Sequence, residues 1–434
     1  MRALYLLAAY LAAPLHAALL AWRGRHDRRQ WRRFGERFGF GPAVAGRPVW
    51  IHAASVGEVQ VAAVLVKGLR ERFPAVPVLV TAFTATGAAR AAALGPQIMT
   101  RYLPYDLPGS VRRFLDRVRP RLALILETEL WPNLYRQCRR RGVPLVIASA
   151  RLSARSAGRY RLFGPLLEEA LAMATVAAQS EADAGRFRSI GATSCRTRVI
   201  GNLKFDFTPP SDIAVRGQRL RERCAAGRPV WVAGSTHEGE ERVLIEAHRQ
   251  VRQRHPRALL VLAPRHPSRF PEVAALLRAE GLGFVRRSEP AAGGALDAAE
   301  VLLLDTLGEL LDFYAASDVA FVGGSLVSVG GHNLLEPASL GRPILTGPHQ
   351  FNGEEIARLL SERGAAVIVH DANELASCMS AWLSDAGERE RIGAIGRAAV
   401  EENRGALERL LQLIEPDLLD APAAVQGAAP RPAR

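Results

Sequence analysis

Three carboxylates in this 434-residue sequence stand where a helix should open after an apolar strand: Glu58 in H-A-A-S-V-G-E, Glu127 in E-T-E-L-W-P-N and Glu336 in G-G-H-N-L-L-E-P. A carboxylate at such a turn can take a proton from a hydroxyl if burial raises its pKa, which makes Glu58 a candidate general base. The plain alternative is a glutamate that stabilises the helix dipole. In an extended E-T-E stretch Glu127 and Glu129 point the same way, as a hydrogen-bonding pair or as ligands of a divalent cation. No histidine lies near them in sequence, which favours the pair. Lys204, in G-N-L-K-F-D, is one of only two lysines in a chain whose cationic charge is otherwise arginine. A retained ammonium suits a point-charge role, neutralising a departing phosphate or a substrate carboxylate.

The second half carries a different chemistry. Residues 322–339, V-G-G-S-L-V-S-V-G-G-H-N-L-L-E-P-A-S, read as a strand end, a loop with four glycines and a helix start with Asn333 at or near the N-cap. Glycine amides and a helix N-terminus make phosphate the expected guest, and Glu336 is placed to accept from ribose hydroxyls. Two further turns, A-P-R-H-P and D-T-L-G-E-L, offer a rigid proline, an arginine fork and a glycine before a helix. Pro264, Arg265, Gly308, Glu309, Leu310, Asn333, Leu334, Leu335 and Glu336 are therefore expected to line one nucleotide pocket. The turn S-T-H-E-G-E-E at 235–241 belongs to the same sheet edge. The basic loop R-L-S-A-R-S at 151–156 borders the first half's sheet, either as a solvated face or as an anion contact.

These residues need strands and helices to hold them. Apolar strands are expected at 49–53, 78–82, 98–103, 122–126, 145–148, 176–178 and 199–200. A second set follows at 230–233, 258–262, 283–285, 301–304, 319–322, 344–345 and 366–369. Helices separate them throughout, and stretches 373–383 and 388–413 close the chain. Val/Ile/Leu strands alternating with helices predict α/β architecture, two doubly wound Rossmann-like domains facing a cleft. Residues 1–24 read as an N-terminal membrane helix, 25–205 as an acceptor-binding domain, 206–417 as a nucleotide-sugar domain and 418–434 as a disordered tail.

Residues 3–22 lack formal charge and are long enough for one membrane crossing, with a helix lying in the interface as the alternative. The arginines that follow place the body on the cytoplasmic side. The arginine–aromatic strip at 28–40 suits anionic lipid headgroups. A net charge of +14 points to an acidic partner, whether nucleic acid, anionic membrane or phosphorylated substrate. Four scattered cysteines with no C-x-x-C argue against a metal site or a disulfide framework.

Together the motifs S-V-G-E, L-P-Y-D-L-P, E-T-E-L-W-P-N, A-R-L-S-A-R-S, L-K-F-D, S-T-H-E-G-E-E, A-P-R-H-P, G-E-L and G-G-H-N-L-L-E-P-A resemble the Kdo transferases of lipid A assembly. These are membrane-attached glycosyltransferases of the GT-B fold. The resemblance spans nearly the whole chain. It implies transfer of 3-deoxy-D-manno-octulosonic acid (Kdo) from CMP-Kdo to the lipid A precursor, an acylated, bisphosphorylated glucosamine disaccharide, in lipopolysaccharide synthesis at the bacterial inner membrane. Transfer would invert the anomeric centre and use no cofactor or catalytic metal. The resemblance further implies Glu58 as base, Glu127 and Lys204 as transition-state partners, and the nine second-half residues around CMP. Two rivals remain from the residues alone: a UDP-sugar-dependent transferase or epimerase of the same fold, and a basic membrane-associated module binding lipid or nucleic acid without catalysis. The strand-end carboxylates, which would repel a phosphate backbone, weigh against nucleic acid.

Overall fold

The computed structural model describes residues 1–24, 33–225, 227–289 and 298–419. Residues 25–32, which include the start of the arginine–aromatic strip, and the tail from residue 420 lie outside the described residues. The chain divides into two compact units, one of Met1–Asp206 with Arg404–Arg434 and one of Phe207–Asn403.

In the first unit seven strands form one parallel sheet: β1 (Val49–His52), β2 (Val78–Ala82), β3 (Met99–Tyr102), β4 (Leu122–Leu126), β5 (Leu145–Ala150), β6 (Thr175–Ala178) and β7 (Thr197–Val199). Their order is β3-β2-β1-β4-β5-β6-β7, with Ile51 opposite Val80 on one side and Leu124 on the other. V-W-I-H and L-A-L-I-L are buried at every position, as strands covered by helices on both faces must be. One face packs Trp50, Ile125 and Ile147 against the helices Pro108–Val118 and Pro132–Arg140. The other packs Ile51, Leu124 and Val80 against Val59, Leu65 and Leu69 of the helix Val56–Arg72. The helix Ala406–Leu419 completes that face with Leu410, Leu411, Ile414 and Leu418.

The second unit repeats the plan: β8 (Val230–Thr236), β9 (Leu259–Pro264), β10 (Phe284–Arg286), β11 (Val301–Leu303), β12 (Val319–Val322), β13 (Ile344–Thr346) and β14 (Ala366–Ile368). All pairings are parallel, in the order β10-β11-β9-β8-β12-β13-β14. Trp231 and Phe321 anchor its core without exposure.

Two expectations change. The single closing helix at 388–413 is two helices, Ala386–Glu402 and Ala406–Leu419, because Gly405 takes φ +95° and Asp206 accepts the N–H groups of Gly405 and Leu407. The N-terminal segment does form a helix, Arg2–Gly24, but no helix of the described residues is long and apolar enough to cross a membrane. One side of this helix is docked on its own unit. Tyr5 donates to Asp106 Oδ2 at 2.7 Å, Ala13 is buried against Tyr105 and Leu107, and the His16 ring lies 5.5 Å from that of Phe83.

Candidate active site

The chain leaves β1 toward β2 on one side of the first sheet and leaves β4 toward β5 on the other, so a crevice opens outside the carboxyl ends of β1 and β4. Glu58 stands at that point, in the first turn of the helix Val56–Arg72. Its Oε1 accepts from the Ser55 hydroxyl at 2.9 Å and its Oε2 from the Ala54 N–H at 2.8 Å, while Ser55 Oγ accepts the Glu58 N–H at 3.3 Å. This is a variant of the capping box in which the carboxylate reaches back to the amide before the N-cap. Burial pushes the Glu58 carboxyl up to about 7, the Ala54 hydrogen bond opposes the rise, and the charges of Glu127 and Glu129 add to it. The capping role and the raised proton affinity coexist in one side chain.

Glu127 and Glu129 do not form the pair expected of an extended strand end. Glu127 adopts φ +55°, which ends the alternation, and the two carboxylates turn to different partners. Glu127 Oε1 lies 2.9 Å from Lys204 Nζ, both side chains about a fifth to a quarter exposed. Glu129 Oε2 accepts from Trp131 Nε1 at 2.9 Å and sits 3.8 Å from His52 Nε2. His52 is fully buried, with Nδ1 3.0 Å from Thr81 Oγ1, and its Nε2 has no hydrogen-bond partner among the described residues. Lys204 is delivered by the short turn Leu203–Asp206, whose start is held by Asn202 Oδ1 accepting the Lys204 N–H at 3.0 Å. In this unit the structure thus brings Glu127 and Lys204 into contact, and the Glu127 charge is felt at Glu58. Replacing Lys204 with Met removes the cation that balances Glu127. The ascending limb of the pH–rate profile then moves to higher pH, because an uncompensated Glu127 makes Glu58 harder to ionise, and kcat falls about 10–100-fold. A pH–rate series on the variant checks both effects.

The second sheet has its own switch point, between β8 and β12, and there the structure corrects the sequence reading. The glycine-loop amides are already used. Glu240, fully buried, accepts from Gly324 N–H at 2.7 Å, Ser325 N–H at 2.9 Å, Leu326 N–H at 2.9 Å and His237 N–H at 2.9 Å. The Gly330 and Gly331 N–H groups go to the Gly324 carbonyl, and the Gly323 N–H to that of Gly234. A side chain from S-T-H-E-G-E-E fills the place expected for a phosphate.

The nine nucleotide candidates lie after three strands of this sheet. Pro264 ends β9, and the Arg265 N–H donates to the Thr236 carbonyl at 3.0 Å. Gly308, with φ +89° and open space where a Cβ would stand, follows β11, as do Glu309 and Leu310, the start of the helix Leu310–Ala316. Burial works against the Glu309 charge, yet hydrogen bonds from Arg287 and Thr306 hold its carboxyl below the usual range. Asn333, Leu334, Leu335 and Glu336 follow β12. Asn333 Oδ1 accepts the Leu335 N–H at 3.1 Å and its amide donates to Glu336 Oε1 at 3.1 Å, opening the five-residue helix Leu335–Ser339. β11, β9, β8 and β12 are consecutive neighbours, so these turns share one stretch of sheet edge.

Sequence reasoning missed Glu240 under the glycine loop and the buried His52 beside Glu129. A glutamate three residues after a histidine in a polar turn looks like a solvent-facing helix start. Only the sheet order shows that β12's loop lies over it.

A family model described as 3-deoxy-D-manno-octulosonic-acid transferase (kdotransferase) matches residues 32–207. The 3-deoxy-D-manno-octulosonic acid transferase of Haemophilus influenzae is 41% identical over 414 residues, covering 94% of this chain and 96% of its own. That of Bordetella pertussis is 41% identical over 435 residues, covering 95% and 99%. A UDP-GlcNAc 2-epimerase from Neisseria meningitidis bound to UDP-GlcNAc superposes with a TM-score of 0.56 at 15% identity over 86% of this chain and 100% of its own, a likeness of GT-B-like fold. With motifs from both units and identity across nearly the full length, the chain belongs to the 3-deoxy-D-manno-octulosonic acid transferases, a family of glycosyltransferases.

Proposed function

We propose that this Kdo transferase takes its sugar from CMP-Kdo and delivers it to a hydroxyl of the lipid A precursor, with Glu58 as the base. The observation that carries this reading is the Glu58 carboxyl, at the sheet's switch point and pushed up to about 7 by burial, which matches a base working near neutral pH. The acceptor hydroxyl gives its proton to Glu58, its oxygen forms the bond to the anomeric carbon, and the bond from that carbon to the phosphate oxygen breaks with the electron pair leaving on CMP. Attack opposite the leaving group inverts the centre. Glu127 and Lys204 tune the base, and the Lys204 ammonium offers positive charge to the departing phosphate. Donor binding is assigned to the second unit, through Pro264, Arg265, Gly308, Glu309, Leu310, Asn333, Leu334, Leu335 and Glu336, without a cofactor or a catalytic metal.

Membrane contact at the cytoplasmic face of the inner membrane is assigned to the helix Arg2–Gly24, lying in the interface. Leu4, Leu7, Leu11 and Leu15 recur about one turn apart and are 67%, 58%, 61% and 72% exposed, an apolar stripe opposite the docked side. An anionic, acylated acceptor in an anionic bilayer also suits the chain's +14 charge.

The test is transfer from CMP-Kdo to the tetraacylated precursor in detergent, with a chelator present and products read by mass. Mass gains of whole Kdo units support donor, acceptor and metal independence together. Inertness with CMP-Kdo alongside turnover of a UDP-sugar defeats the donor assignment.

A further inference from the structure

Three imidazoles meet at the carboxyl edge of the second sheet, beside the switch point. His237 Nε2 and His332 Nε2 are 2.8 Å apart, and the two rings are nearly coplanar, at 11°, with centroids 5.1 Å apart. That separation is the N–N distance plus one ring radius at either end, so the rings meet head to head along a linear hydrogen bond. Neither two donors nor two acceptors can make such a bond: the axis holds one proton. His266 presents an edge contact to His237, centroids 5.4 Å apart at 83°. Gly324 lies beneath the pair; a Cβ there would stand 2.8 Å from His332 Cδ2 and 2.9 Å from its Nε2, so the floor must be glycine.

The charged and titratable groups acting on this pair are Arg265, Arg269, Glu240 and the third imidazole, His266. Burial, followed for His332 by the neighbouring His237 and Arg265, pulls that ring down to about 3, and burial lowers His237 and His266 as well. The rings are therefore neutral at physiological pH, in a place rich in positive charge.

Glu240 has consumed the amides of Gly324, Ser325 and Leu326, so an anion arriving beside the histidine pair is not met by that stretch of backbone and calls on side chains. We propose that His237 and His332, aided by Arg265, form a proton-linked receptor for an oxyanion of the sugar donor, binding it with uptake of a proton. An anion beside the pair makes a second proton favourable, the head-to-head bond opens, and each ring turns an N–H outward. The inference rests on the assignment of the donor to this unit. CMP-Kdo carries two oxyanions, the phosphate and the sugar carboxylate, and both fit the same chemistry.

The experiment is calorimetric titration of the full chain in the Glu58→Gln background, which removes the base's own titration, in buffers of different ionisation enthalpy at about pH 6 and about pH 8. One arm uses the methyl phosphodiester of CMP and the other free Kdo; neither ligand titrates in this range. At least one should bind severalfold more tightly at the lower pH and take up a fraction of a proton approaching one. The arm that does so identifies the oxyanion. Adding His332→Gln or His237→Gln should flatten the pH dependence and abolish uptake. Binding without proton uptake in either arm overturns the inference and leaves the donor assignment standing. Uptake that persists in both histidine variants overturns it too, and absence of binding by both ligands overturns the inference and the donor assignment together.

Discussion

Glu58→Gln is expected to abolish measurable Kdo transfer, with kcat down about 10²–10⁴-fold and donor affinity unchanged. Glutamine keeps the local fold. Its carbonyl can accept the Ala54 N–H, and its amide can donate to Ser55 Oγ, so the capping box survives in altered form. What disappears is the proposed proton acceptor. In the wild type the rate should climb with pH through about 7 and then level, because the carboxyl must be ionised to act and burial holds its proton to about that pH. The same shift makes a stability claim whose sign is opposite to that of a salt-bridged acid. A carboxyl with a raised folded-state pKa is most compatible with the fold when protonated, so the wild type loses stability as pH rises from the unfolded value toward about 7. Glutamine escapes that cost. The variant should be more stable than wild type at about pH 8, by up to about 3 kcal/mol, and lose this advantage below about pH 5. Parallel denaturant titrations at the two pH values measure it. Full transfer activity in the variant removes Glu58 from the mechanism.

Glu240→Ala should be the most damaging single change in the second unit. Four backbone N–H groups converge on this fully buried carboxylate, from the end of β8 and from the loop after β12. Truncation leaves all four without a partner in a place water reaches poorly, at a cost of about 3–5 kcal/mol. Because His237 and Gly324 are among the groups it ties together, donor binding should fall as well. The first unit, with its separate core, should retain its fold, so unfolding should split into two transitions in calorimetry. A single unchanged transition contradicts this account.

The sheets were legible because parallel strands buried on both faces must be runs such as V-W-I-H, L-A-L-I-L and V-A-F-V, and little else in a soluble domain looks like that. Glu58 was legible for the same reason, since a strand followed by S-x-x-E marks a helix start. The orientation of Glu127 was not. It depends on one left-handed residue, and nothing in E-T-E announces φ +55°. The glycine loop misled because four glycines permit an anion without saying which. The occupant, Glu240, lies 84 residues from Gly324 and reaches it only because β8 and β12 are neighbours. The head-to-head histidines have the same origin, being 95 residues apart in sequence. The first helix was visible as an apolar run, but Tyr5 donating to Asp106 and Ala13 sinking against Tyr105 are long-range facts that turn one side inward.

The return of the last helix to the first unit also bears on how the protein is made. Leu410, Leu411, Ile414 and Leu418 fill the face of the sheet behind Glu58's helix, and Arg72 pairs with Glu408 and Glu415 across that seam. The ribosome must therefore synthesise all of Phe207–Asn403 before the unit begun at the N-terminus can close its core. Until then an apolar sheet face stays open. The second unit, contiguous in sequence, can finish first, and the unit that bears Glu58 closes its core only after Ala406–Leu419 has been made.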